Sequence, residues 1–92
     1  MIITVKAFAT LRLLMQNETR LDLNDGSTVD DLLKNLDALY PGLSRELYAE
    51  PGRLNSFVNI LKNGRNIQHL DGLQTRIEAE DLIAVFPPAT GG

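Results

Sequence analysis

The sequence predicts an α+β fold, a mixed sheet of four to five strands packed on one main helix. Three observations predict it. Both ends of the chain carry short stretches that alternate with period two and are rich in β-branched residues. One stretch between them has apolar residues at helical spacing. An Asn63-Gly64 pair between apolar runs is a strong hairpin signal. The 92 residues make one domain, 1–92, with residues 89–92 read as a flexible C-terminal tail.

Met1 to Ala9 alternates, with Ile3, Val5 and Ala7 on one face and Thr4, Lys6 and Phe8 on the other. Thr10 to Gln16 is short and Leu-rich and suits one or two helical turns. Glu18 to Asn24 alternates again, with Thr19, Leu21 and Leu23 on one side, so an antiparallel pair is expected. Asp25-Gly26-Ser27 signals a turn. Thr28 with Asp31 resembles a capping box and opens a helix. Val29, Leu32, Leu33, Leu36, Leu39 and Tyr40 form its apolar stripe; Asp30, Asp31, Lys34, Asn35 and Asp37 cover its other face. Pro41-Gly42 ends it. Leu43 to Ala49 suits a second short helix, and Glu50-Pro51-Gly52 a turn. Ser56 to Lys62 reads as a strand, with Val58 and Ile60 on one face and Phe57 and Leu61 on the other. Arg65 to Gln68 is the short return strand, His69 to Ala79 is irregular, and Leu82 to Phe86 is the last strand, stopped by Pro87-Pro88. Setting the first and last strands side by side and parallel, with the helix across one face, buries every apolar stripe. That arrangement is the β-grasp.

Composition excludes several functions. Hydrophobic residues make up 43% and charged residues 23%, the ordinary globular range. The formal net charge is −3 and the nine Lys and Arg residues are scattered, which argues against nucleic acid as a partner. With no cysteine, there is neither disulfide nor thiolate chemistry. The N-terminus lacks the basic and apolar regions of a signal peptide, and no run of apolar residues is long enough for a membrane span. A cytoplasmic location is expected, with no membrane partner. His69 is the only histidine and reads as a surface loop residue rather than a metal ligand. Asp30 with Asp31, and Glu78 with Glu80 and Asp81, are better explained by helix capping and solvation than by acid–base catalysis. Met15 suits the core or a helix end, and Gly64 serves a turn. No catalytic residues, metal ligands or cofactor are expected, so the chain is not read as an enzyme by itself.

Phe86-Pro87-Pro88-Ala89-Thr90-Gly91-Gly92 resembles the end of the MoaD/ThiS family of ubiquitin-like sulfur carriers, and most resembles MoaD. Phe8-Ala9-x-Leu11-Arg12-x-Leu14 is similar to the segment after the family's first strand, and Asn59 to Gly64 to the third strand of archaeal MoaD-like modifier proteins. Lys62 stands where many relatives carry an aliphatic residue, and Glu80-Asp81 where they carry Gly-Asp. Residues 41–56 look like an insertion relative to the shortest members. The resemblance implies that an adenylating enzyme of the MoeB/ThiF type activates the Gly92 carboxylate, and that sulfide then displaces AMP to leave a thiocarboxylate. It further implies insertion of the tail into a molybdopterin synthase large subunit of the MoaE type. The alternatives are a ubiquitin-like modifier joined through Gly92 to lysines of target proteins, and a non-covalent interaction module with an inert tail. A ThiS-like thiamin role fits the FPP element and the length less well.

The chemistry suits the residues. A carboxylate is ionised and unreactive at neutral pH, so it needs activation. Gly91 and Gly92 have no Cβ and pass through a narrow channel. Thr90 belongs to the same tail, and the four residues after Pro88 reach about 13 Å when extended. Pro87 and Pro88, with fixed φ, project the tail from the sheet. Alternation places Phe8 and Phe86 near each other on the open face, with Leu61 extending the patch and Arg12 at its rim. These residues, Phe8, Arg12, Leu61, Phe86, Pro87 and Pro88, are the expected partner-docking surface.

Overall fold

The computed structural model describes residues 1–88. The expectations for Thr90, Gly91 and Gly92, and for residues 89–92 as a tail, lie outside the described residues.

β1 (Ile2–Ala7) pairs antiparallel with β2 (Glu18–Asp22) and parallel with β7 (Leu82–Phe86). β7 also pairs antiparallel with β5 (Asn59–Lys62), which turns back as β6 (Arg65–Asn66). The order across the sheet is β2-β1-β7-β5-β6. The parallel β1–β7 pair at the centre, with a helix across one face, is the β-grasp. It matches the sequence expectation at β7 residue for residue.

Period-two alternation decides the two faces. Ile3, Val5 and Ala7 of β1, Ile60 of β5, and Ile83 and Val85 of β7 are buried against α1 (Val29–Leu39). The helix contributes Val29, Leu32, Leu33 and Leu36. Its capping box is complete: the Asp31 N–H donates to Thr28 Oγ1 at 3.3 Å, and the Thr28 N–H donates to Asp31 Oδ2 at 2.9 Å. The Thr28 N–H, with its hydroxyl second, holds the Asp31 carboxyl below the ordinary range. Leu39 does not join the stripe, and its side chain is 55% exposed. It falls on the flank of the stripe, three residues past Leu36, while Tyr40 beside it turns inward. Tyr40 is half-buried, its hydroxyl 3.0 Å from Thr19 Oγ1 on β2.

The stretch after α1 differs from the expectation. α2 (Leu43–Leu47) is shorter than predicted and runs straight into β3 (Tyr48–Glu50), which pairs with β4 (Arg53–Leu54) as a separate hairpin. Tyr48 donates to Asp30 Oδ1 at 2.9 Å, which ties this hairpin to the helix. Burial, then that carboxylate, push the Tyr48 phenol well above its usual range. The Ser44 N–H, then its hydroxyl, hold Asp37 low. β5 begins at Asn59 rather than Ser56, because Val58 N–H turns back to Asn55 O. Phe57 therefore stands before the strand and is 68% exposed. β6 ends after two residues, a 3-10 turn at Ile67–His69 taking the place of the rest of the expected return strand, and the span read as irregular contains a second such turn at Gly72–Gln74. Ile67 and Ile77 join the core, as does Met15.

Asp81 corrects the reading of the 78–81 acids as solvated. It is buried and accepts from Asn63 Nδ2 and from the Glu78 N–H, each at 2.8 Å, with Lys62 Nζ 3.4 Å away. Asn63 has φ 49° and Gly64 φ 86°, the two left-handed residues a tight hairpin requires. Asn63 Oδ1 accepts from the Leu82 N–H at 2.9 Å, so this one side chain joins the hairpin to β7.

Candidate docking site at the end of the last strand

β1 and β7 run parallel, so their C-terminal ends lie together at one edge of the sheet. The ladder continues one step past β1, where the Phe8 N–H donates to Val85 O at 3.2 Å. By alternation Phe8 and Phe86 leave the sheet on the face away from α1. Their rings stack with centroids 4.4 Å apart and planes 12° from parallel. Such a pair contributes about 0.5–1.5 kcal/mol beyond the area it buries. Both residues are half-buried.

After Phe8 the chain turns sharply. Ala9 has φ 53°, a left-handed value that costs an alanine about 1 kcal/mol. The 3-10 turn Ala9–Leu13 then buries Leu11 and returns Arg12 toward the strand it left. Arg12 Nε donates to Ala7 O at 2.9 Å, and the guanidinium carbon lies 5.3 Å from the Phe8 ring centroid. A cation over an aromatic face is held by the ring quadrupole, worth about 0.5–1 kcal/mol at an exposed site. Arg12, Phe8 and Phe86 thus form one layered stack directly before Pro87 and Pro88, which are half-buried.

Leu61 faces the same side. It sits opposite Ala84, which sits opposite Lys6, and the three make a row across the open face. Leu61 and Ala84 are half-buried; Lys6 is exposed. The structure therefore brings together Phe8, Arg12, Leu61, Phe86, Pro87 and Pro88, six side chains spread over residues 8–88 of the chain.

Three further apolar side chains stand out on the exposed surface. Leu13 is 85% exposed at the end of the turn that carries Arg12, with Leu14 beside it. Phe57 lies two residues ahead of Asn59, the partner of Phe86. Sequence reading placed Phe57 on the strand face with Leu61 and gave Leu13 no role. The signal for Leu13 was its place in the run Leu11 to Leu14, where one turn can bury only part of the set. Other sequence candidates lie elsewhere. His69 is exposed in a 3-10 turn, and Asp30 and Asp31 serve the helix and the β3–β4 hairpin. Among the described residues no three His, Cys, Asp or Glu side chains are placed to hold a metal ion. No described helix is long and apolar enough to cross a membrane.

Comparison with known proteins decides the family. Residues 5–92 match the ThiS family. The chain belongs to that family. Over 89 residues it is 42% identical to small archaeal modifier protein 3 of Haloferax volcanii, covering 96% of each chain. Its fold superposes on the crystal structure of small archaeal modifier protein 1 from the same organism with a TM-score of 0.86, at 30% identity over 99% of each chain. A molybdopterin converting factor subunit 1 from Pyrococcus furiosus gives a TM-score of 0.77 at 28% identity, covering 96% of this chain and 98% of that one. The family consists of small ubiquitin-like carrier and modifier proteins, so the β-grasp and the resemblance read from the FPP and Gly-Gly elements are both borne out.

Proposed function

We propose that the chain is a ubiquitin-like protein modifier, joined through its Gly92 carboxyl to lysines of other proteins after an adenylating enzyme has activated that carboxyl. The observation that carries the reading is the layered stack of Arg12, Phe8 and Phe86, which immediately precedes the Pro-Pro and Gly-Gly elements. An activating enzyme must hold the folded body while it works on the terminus. An aromatic patch with a cation at its rim is the composition that interfaces favour. The 42% identity to a modifier protein across nearly the whole chain supports conjugation as the outcome.

Once adenylated, the Gly92 carbonyl carbon is an electrophile. Attack by a deprotonated lysine amine forms the amide, and AMP departs with the bonding electron pair. Attack by a sulfide equivalent forms a thiocarboxylate and releases the same leaving group. The second reading comes from that branch: a sulfur carrier for molybdopterin synthesis, acting as the small subunit beside a large catalytic one. The likeness to the Pyrococcus furiosus protein supports it. In both readings the chain contributes the tail and the docking face while its partners contribute the catalysis.

The test is mass spectrometry on an N-terminally tagged chain recovered from its own cells under denaturing conditions, with and without the adenylating enzyme. Isopeptide adducts that need both the enzyme and Gly92 establish the modifier. A terminal oxygen replaced by sulfur, with no adducts, establishes the carrier alone. Neither product overturns both readings.

A further inference from the structure

The chain has three lysines, Lys6, Lys34 and Lys62, and their surroundings differ enough to rank them as acceptors. Lys62 is committed. Its Nζ donates to Arg76 O at 2.8 Å and lies 3.3 Å from Glu78 and 3.4 Å from Asp81, and its side chain is only 16% exposed. An amine with three oxygen partners and little room cannot approach the carbonyl carbon of another protein. Lys6 is exposed but sits in the middle of the open face, between Glu18 and Ala84 and two residues from Phe8. A partner docked on Phe8 and Phe86 covers it.

Lys34 is on the other side of the molecule. It leaves the outer face of α1, whose inner face packs on the sheet, and its side chain is 71% exposed. Its one ion pair, with Asp30 at 3.1 Å, is a surface pair four residues away on one helix. Such pairs are worth about 0.3–0.5 kcal/mol and do not fix a lysine in place. Beside it opens a cleft of about 610 Å³ between α1 and the β3–β4 hairpin, lined by Leu33, Asp37, Ser44 and Tyr48 among others. An incoming chain end therefore meets no wall of protein at the amine.

We propose that Lys34 is a modification site: the acceptor through which a second copy of this chain is attached. The inference rests on the modifier reading above. The Lys34 amine, once deprotonated, attacks the carbonyl carbon of the adenylated Gly92 of the second copy. A C–N bond forms, the bond from that carbon to the phosphate oxygen breaks, AMP leaves with the electron pair, and the nitrogen loses a proton to water. No oxidant or reductant is needed. Because the acceptor lies opposite the docking face, the copy already carrying Lys34 keeps its own Phe8–Phe86 face and terminus open, so attachment repeats.

The sequence makes the product easy to recognise. No Lys or Arg comes after Arg76, so trypsin leaves residues 77–92 of the donor on the acceptor lysine, and a modified Lys34 is no longer cleaved. The branched peptide therefore joins 77–92 to 21–45. The experiment recovers the N-terminally tagged chain from its own cells under denaturing conditions, separates species of twice the chain mass, and maps the branch point in the wild type and in Lys34→Arg, Lys6→Arg and Lys62→Arg. The expected result is the 77–92 branch on Lys34, with the double-mass species lost in Lys34→Arg and kept in Lys6→Arg. Thermal melting of Lys34→Arg should match the wild type, since arginine keeps the pair to Asp30. Branches on Lys6 or Lys62 without Lys34 overturn the assignment. Adducts on other proteins alone overturn it while leaving the modifier reading intact. No isopeptide adduct of any kind overturns both.

Discussion

Replacing Phe86 by alanine separates what the aromatic stack does for the fold from what it does for a partner. Truncating a fully buried phenylalanine costs about 3–5 kcal/mol. Phe86 is half-buried, so roughly half of that, about 2 kcal/mol, is expected, including the stacking term of about 0.5–1.5 kcal/mol. For a domain of this size each kcal/mol lowers Tm by about 4–8 °C, so the variant should melt roughly 8–16 °C lower and still fold. Phe8→Ala should behave alike, and the double variant should fall short of additivity by about 0.5–1.5 kcal/mol, the coupling of the two rings. If the pair is also the centre of a partner interface, each single variant loses a further 2 kcal/mol or so of binding, about 30-fold in Kd or in the KM for ATP-dependent charging by the adenylating enzyme. The assays are thermal denaturation of the four proteins and charging kinetics well below the lower Tm. Charging with unchanged KM in both single variants refutes the docking argument. Additive stability losses refute the stack.

Three further outcomes are expected. Deleting Gly92 should abolish charging and leave Tm within a degree or two, about the effect of a surface change on stability; a large loss of stability on thermal melting would contradict it. Asn63→Ala should cost about 2–3 kcal/mol by urea denaturation at unchanged m-value, because it leaves Asp81 short of a donor and the Leu82 N–H without an acceptor. A loss below about 0.5 kcal/mol would mean that water replaces both bonds. The lowered Asp31 carboxyl contributes stability that is fully present above its unfolded value of 3.8 and is lost as pH falls through its folded value. Asp31→Asn should therefore lower stability at pH 7 and flatten its decline between pH 5 and pH 3, read from melts across that range; parallel pH profiles would remove Asp31 from the acid response.

The elements that could be read from the sequence are those whose pattern is local. Period two at Ile3-Val5-Ala7 and at Ile83-Val85, with helical spacing at Val29-Leu32-Leu33-Leu36, gives the faces without any knowledge of neighbours. Asn63-Gly64 announces its turn because only a few residues tolerate positive φ. The Phe8–Phe86 contact was legible for a subtler reason: two strands of known facing, set parallel, leave one place for both rings. What escaped has non-local causes. β3 and β4 are three and two residues long, too short for a period to show, and the Tyr48–Asp30 bond that anchors them spans 18 positions. Asp81 reads as one of three acids in a polar loop, yet its donors come from a hairpin 18 residues earlier as well as from Glu78 beside it. Leu39 follows Leu36 by three residues but falls on the flank of the stripe, and Tyr40 takes the inward position beside it.

The parallel pairing of β1 with β7 also determines how the molecule responds to force. Joined to cargo through its C-terminus, as the proposed function requires, the chain is loaded mechanically whenever that cargo is pulled. Tension between the two ends draws β1 and β7 in opposite directions along their length, so the register Thr4↔Leu82 to Ala7↔Val85 is loaded in shear and its hydrogen bonds strain together rather than one after another. β7 is held on its other side by the register from Asn59↔Phe86 to Lys62↔Ile83, so no edge is available from which to peel it. Forced unfolding is governed by the unfolding rate rather than by equilibrium stability. The domain is thus built as a mechanically stiff handle, one that resists extension along the axis joining its two ends.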